Sequence, residues 1–282
     1  ALAVVADLCR EARGAAYGSY TAATQAGAML GPVLGGWLVV SAGFPAAFTT
    51  AGVLGSIAVL LFLLMRLPPQ IPRTASSAGP AAVLKDMARG AKTVVGNVRV
   101  VVTSVTDGAR QVANGALMAF LPIYVVGIGL DAAHAGVLFG VQSVTSFVSR
   151  PTMGWASDRI GRRPLILLGL VVCAGSLAAI PFTNLFWALM ALSALFGFGE
   201  AIVNASAAAL VADLSELKTL GSAMGMQGAI MDIGHASGPI LAGLLIGALG
   251  FQVAFPILAA FVLLAAGAFR IGVESDRSTA VA

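Results

Sequence analysis

Six ionisable or strongly polar residues interrupt long apolar stretches of this chain, and their spacing pairs them. Asp107 and Arg110 lie three residues apart, Asp232 and His235 likewise, and Glu200 and Asn204 lie four apart. On a helix each separation puts both members on one face. Ionisable groups inside a membrane are costly, so they mark proton relays, substrate contacts or ion pairs. Asp232 with His235 can titrate in the physiological range, or can clasp a neighbouring helix. Glu200, flanked by Gly197 and Gly199, can carry a proton as access alternates, or can rest protonated and inert. Asp107 with Arg110 suits an anionic substrate, a salt-bridge gate or a purely structural pair.

The elements that position these residues follow from composition. Hydrophobic residues make up 59% of the 282 and charged residues 10%, with a mean hydropathy of +0.95. Soluble domains carry about a quarter charged residues, so the chain is an all-α integral membrane protein. Runs of about 20 apolar residues predict spanning helices at 14–41, 44–65, 100–127, 133–152, 164–182, 185–211, 219–248 and 251–272. Residues 1–8 read as the tail of one more. The net charge of +4 does not signal nucleic acid, because the basic residues gather in alternate connections. Arg10 and Arg13 lie in one, Arg66 to Arg99 in another, Arg159, Arg162 and Arg163 in a third, and Arg270 and Arg277 at the C-terminal end. Cytoplasmic loops hold the excess of Lys and Arg, which puts the C-terminus in the cytoplasm. Cys9 and Cys173 imply no disulfide framework. No metal-ligand cluster, phosphate-cradling loop or nucleophile–base arrangement is present, so neither a metal, a cofactor nor an enzymatic activity is expected.

A glycine pattern organises the rest. Gly18, Gly27, Gly31, Pro32, Gly35 and Gly36 fall within an uncharged run. Gly27, Gly31 and Gly35 recur every four residues, so they share a face that admits a neighbouring helix to backbone contact. Pro32 removes a backbone hydrogen bond and is expected to bend the helix. The pattern recurs at Gly225, Gly234, Gly238, Pro239 and Gly243, each 207 residues on. Val5-Ala6-Asp7-Leu8 answers Val211-Ala212-Asp213-Leu214 at nearly the same offset, and Gly43-Phe44 answers Gly250-Phe251. The chain therefore holds two homologous halves. Gln25 stands where the second half has Asp232, so only one half is charged there. Between the halves, prolines 68, 69, 72 and 80 make an irregular connection, followed by a short basic amphipathic segment around Val83 to Val95.

The stretch Gly154-Trp155-Ala156-Ser157-Asp158-Arg159-Ile160-Gly161-Arg162-Arg163 reads as a tight hairpin between two spans, with Gly161 permitting the turn. Topology explains the arginines but not Asp158 between two fixed glycines. This hairpin resembles the loop signature G-x-x-x-D-R-x-G-R-R of the major facilitator superfamily at every fixed position. The spacing of Gly18 to Gly36 resembles the signature on the fifth helix of its drug:proton antiporters, without departure.

The resemblance implies two pseudo-symmetric six-helix bundles with the first three helices missing. Residues 1–67 would be the end of helix 4 with helices 5 and 6, residues 68–98 the central cytoplasmic loop, and residues 99–282 helices 7–12. It further implies export of a small organic compound by proton antiport through alternating access, from a monomer in a bacterial inner membrane. Asp158, with Arg159, Arg162 and Arg163, would latch the two halves, with the N-terminal end of the glycine helix and Arg13 as partners of Asp158. Asp232, His235, Glu200 and Asp107 are the candidates for proton coupling, and Arg110 for substrate or gating. The alternatives are an importer of sugars or organic acids and a non-transporting membrane component.

Overall fold

The computed structural model describes residues 13–64, 96–216 and 219–273. Seven α-helices occupy them: α1 (Arg13–Leu64), α2 (Val98–Gly127), α3 (Ala132–Ile160), α4 (Arg162–Ala179), α5 (Phe186–Asp213), α6 (Leu220–Leu249) and α7 (Phe251–Val273), with a 3₁₀ turn at Ile180–Phe182. α1 is two expected spans read as one. Its non-helical residue is Gly43, at φ 80° and ψ 172°, which divides the arms 13–42 and 44–64. Helical assignment runs unbroken through Pro32. The break in the run lies at Gly43, between the two expected spans, where a side chain would be strained.

Polar residues start the helices where the sequence supplies them. Asn97 caps α2, accepting from the Val100 N–H, and also donates to the Leu214 carbonyl at the end of α5. Asp131 caps α3, accepting from the backbone of Ala133 and His134 and from the His134 ring. That ring contact is the main reason the Asp131 carboxyl sits below the usual carboxylate range. Between α3 and α4 the whole connection is Gly161, at φ 104°, so the tight hairpin forms as its glycine predicts.

In the bundle α2 packs mainly on α6 and α7, α3 on α5 and on α1, and α4 fits between α5 and α7. The buried core includes Leu117, Leu121, Leu138, Leu170, Phe196, Phe255 and Phe269. Six stretches among the described residues are long and apolar enough to cross a bilayer: Leu34–Leu64, Val98–Gly127, Arg162–Phe182, Phe186–Asp213, Leu220–Leu249 and Phe251–Val273. α3 is 29 residues long, but Gln142, Ser143, Thr145, Ser146, Ser149 and Arg150 lower its hydropathy. Its neighbours α1 and α5 cover part of that polarity. The outer surface is apolar, with Phe48, Leu244, Leu264 and Ile271 more than two-thirds exposed. Lipid is the solvent that such a surface requires.

Glycines set how closely the helices approach. Gly108 and Gly115 of α2 face Gly234 and Gly238 of α6, and any Cβ on Gly234 or Gly238 would run into the α2 backbone at Gly108 or Val112. Gly169 of α4 and Gly199 of α5 meet in the same way, each against the other's carbonyl. Without side chains the main chains can touch, and dispersion and weak Cα–H···O contacts hold the seam. The corresponding face of α1 behaves differently: nothing lies within 4 Å of a Cβ built on Gly27, Gly31 or Gly35. Gly36 instead packs on the start of α3, against Ala132, Ala133 and Gly136 at 3.3 to 3.4 Å. The close contact expected of the four-residue glycine spacing is thus absent among the described residues of α1, and Gly36 makes the one α1 seam. The side chains of Gln25, Pro32 and Arg13 lie outside the described residues, as do Asp7, Cys9 and the segment 65–95 with its expected amphipathic helix.

Candidate functional site

In α2, Asp107, Arg110, Gln111 and Asn114 fall at a three-and-four spacing that lines one helical face. α5 brings Glu200 and Asn204 against that face, α3 brings Gln142, and α6 brings Gln227. The result is one connected cluster inside the bundle.

Arg110 is its centre. The Arg110 side chain is fully buried, and a guanidinium is always charged, so it needs a counter-ion in place. Its Nε and Nη2 donate to Asp107 Oδ1 at 3.0 and 2.8 Å. Nη2 also donates to Asn204 Oδ1 at 3.0 Å. Gln227 Nε2 donates to the second oxygen of Asp107 at 3.3 Å. Asp107 and Arg110 therefore form a buried, hydrogen-bonded ion pair whose two charges cancel, with Arg110 Nη1 left without a hydrogen bond.

Glu200 is the second carboxyl near Arg110 and is held more loosely. Its Oε1 lies 3.9 Å from Arg110 Nη1 and 3.5 Å from Asn204 Nδ2. Its Oε2 lies 3.5 Å from Gln142 Nε2. Gln142 Nε2 also donates to Asn114 Oδ1 at 3.3 Å, and Asn114 Nδ2 to Gln111 Oε1 at 3.4 Å. Arg150 of α3 feels the charge of both Glu200 and Arg110. The chemistry open to such a cluster is transfer of a proton at a carboxylate beside a fixed cation.

Four of the six residues singled out by spacing therefore come together: Asp107, Arg110, Glu200 and Asn204. Asp232 and His235 do not join them. Asp232 is exposed and His235 half-buried, and no hydrogen bond or ion pair links the two. One turn of separation puts them on neighbouring parts of α6 without making them a bonded pair. Asp232 does avoid the glycine seam, as its position opposite Gly234 implies.

Spacing within one helix overlooked Gln111, Asn114, Gln142 and Gln227. The first two extend the polar face of α2 and were legible from its periodicity. Gln142 and Gln227 matter only through helices that meet across the bundle.

At the hairpin end, Asp158 is exposed and pairs with Arg162 Nη1 at 3.1 Å within its own loop. Arg162 Nε reaches across to Asp213 at the end of α5. Asp213 entered the sequence reading only as a mark of the repeat; here it fastens the hairpin to the bundle. In the structure the partner of Asp158 is therefore Arg162, and the expected contacts with Arg13 lie outside the described side chains. Arg159 stacks over the Trp155 ring at 4.0 Å, and Arg163 is half-buried beside the turn. Nothing lies within 4 Å of a Cβ on Gly154, so packing does not demand glycine at that position.

Comparison with known proteins agrees with this architecture. The family model of the Major Facilitator Superfamily matches residues 1–106 and 108–281. The multidrug resistance protein MdtG of Salmonella typhimurium is 27% identical over 269 residues, covering 92% of this chain and 64% of its own length. MdtG of Enterobacter lignolyticus is 26% identical, covering 92% of this chain and 62% of its own. The chain thus spans a little under two thirds of the curated relatives it matches. A multi-pass helical bundle with this loop signature and this match over nearly its whole length belongs to the major facilitator superfamily.

Proposed function

We propose that the chain forms the larger part of a proton-coupled exporter of small organic compounds, working by alternating access. The observation that carries this reading is the ionic cluster of Asp107, Arg110, Glu200 and Asn204, buried where two spanning helices meet. Repeated bundles that rock about a site near the midplane are the general architecture of such transport. A carboxylate beside a dehydrated cation is a suitable place to exchange a proton during that motion.

The export direction draws on the multidrug resistance named for the relatives. The hairpin end would face the cytoplasm of a bacterial inner membrane, as its arginines indicate, with the C-terminus on the same side. Protons, lipid and a small-molecule substrate are the partners of this reading, with the protein acting as a monomer. An importer of organic acids would need Asp107 and Arg110 to hold substrate. Their mutual bonds and near-complete burial favour a role as a fixed pair.

The test is efflux of a cationic fluorescent dye from an efflux-deficient bacterial host expressing the protein from its own reading frame. Export should stop on adding a protonophore and should fall at least tenfold in Arg110→Ala. Efflux that survives the protonophore, or no efflux of any of a panel of dyes, would sink the proposal.

A further inference from the structure

The two carboxylates of the cluster are held in different ways. Asp107 is 1% exposed, and both its oxygens accept hydrogen bonds, at 2.8, 3.0 and 3.3 Å. Glu200 keeps 16% of its side chain exposed, and every contact it makes is 3.5 Å or longer. Beside it are two buried polar atoms without hydrogen-bond partners, Arg110 Nη1 and Gln142 Oε1. A buried donor left unpaired is expensive and calls for a partner in some other state of the molecule.

We propose that Glu200 is the group that exchanges the proton, that Asp107 stays ionised as the permanent counter-ion of Arg110, and that Arg110 Nη1 replaces the proton when it leaves. This deepens the proton-coupled reading and rests on it. In the protonated state Glu200 is a neutral acid whose hydroxyl can donate to Gln142 Oε1, and Nη1 stands off at the observed separation. On release the O–H bond breaks and the proton passes to solvent at the exposed edge of the carboxyl. The carboxylate then accepts a hydrogen bond from Nη1, closing a gap of 3.9 Å to an ordinary bond length.

Asp107 cannot exchange in this way. Protonating it would weaken the three hydrogen bonds it accepts and leave the fully buried guanidinium with only Glu200, 3.9 Å away, as counter-ion. The groups facing Glu200 are consistent with a single proton site. α2 presents Arg110 and Asp107, α3 presents Arg150, and α4 presents the buried Cys173 thiol. α6 reaches the cluster through the neutral amide of Gln227. Closing the Glu200–Arg110 gap would draw α5 toward α2, so loss of one proton is converted into a movement between two spanning helices.

The experiment is an infrared pH titration of the purified protein in lipid, reading the C=O band of the protonated carboxylic acid. The wild-type minus Glu200→Gln difference spectrum, in which the carboxyls common to both proteins cancel, should show one band that titrates reversibly. The same difference band should remain when Asp232→Asn is introduced into both proteins. Arg110→Lys keeps the charge beside Asp107 but removes Nη1, and should move the midpoint to higher pH, about tenfold in proton affinity. The absence of a titrating band from that difference spectrum, its loss on Asp232→Asn, or a midpoint unmoved by Arg110→Lys would each overturn the assignment. The dye assay is separate: a titrating Glu200 in a protein that exports nothing would leave this assignment standing and sink the transport reading.

Discussion

Two helices of this molecule carry nearly the same glycine spacing and use it differently. On α6, Gly234 and Gly238 lie in backbone contact with α2, closely enough that neither tolerates a Cβ. On α1, Gly27 and Gly31 occupy the equivalent positions, and a Cβ built on either meets nothing within 4 Å among the described residues. A glycine stripe thus grants permission for close approach without naming the partner. The partner comes from the opposing helix, which on α2 supplies its own glycines, Gly108 and Gly115.

The sharpest test is to add side chains at equivalent positions of the 282-residue chain. Gly238→Val should destabilise it by about 3 kcal/mol, the upper range for overpacking a dense contact. Gly31→Val should stay within about 0.5 kcal/mol, as expected of an open surface site. Thermal unfolding followed by size-exclusion fluorescence measures both. Equal losses would show the glycine face of α1 to be covered, and the contrast would vanish.

The next effect belongs to the seam that α1 does make. Gly36→Leu forces side-chain atoms against the backbone of α3, where the nearest atoms stand at 3.3 Å. A loss of about 1–2 kcal/mol is expected, and an unchanged melting temperature would show that α1 does not rest on α3. Gly243→Ala is milder, because its nearest neighbour is the end of the Phe120 ring at 3.3 Å, which can turn aside. We expect less than about 0.5 kcal/mol there.

The smallest effect concerns the charge that distinguishes the halves. Asp232→Gln gives α6 the residue type found at position 25 of α1. Since Asp232 is exposed and unbonded, stability should hold within about 0.5 kcal/mol and dye efflux within about twofold. A tenfold loss of efflux would return Asp232 to the coupling machinery and make the charge asymmetry functional.

Much of this fold was legible in the chain itself. The repeat, the spans, the hairpin glycine and the pairing of Asp107 with Arg110 all follow from local spacing, which a helix converts directly into geometry. The boundary between the first two spans was legible as well, and it falls at Gly43, where two arms meet. The site was half legible. Glu200 and Asn204 stand out as polar residues in an apolar run, yet their distance from Arg110 depends on how α5 packs against α2. Gln142 and Gln227 carry no local mark at all. An uncharged amide on a long helix acquires meaning only from what the opposite helix brings to it.

Gly43 and Gly250 are 207 residues apart, and their dihedrals agree within a few degrees, at φ 80° and ψ 172° against φ 74° and ψ 170°. Each is the entire link between two consecutive helical arms, at the end of the bundle opposite the hairpin. Two helices joined by a single residue cannot drift apart or slide past one another; they can only pivot about that point. Each such pair is therefore a stiff V with its apex outward, and it offers a protease or an antibody on that side almost no free chain.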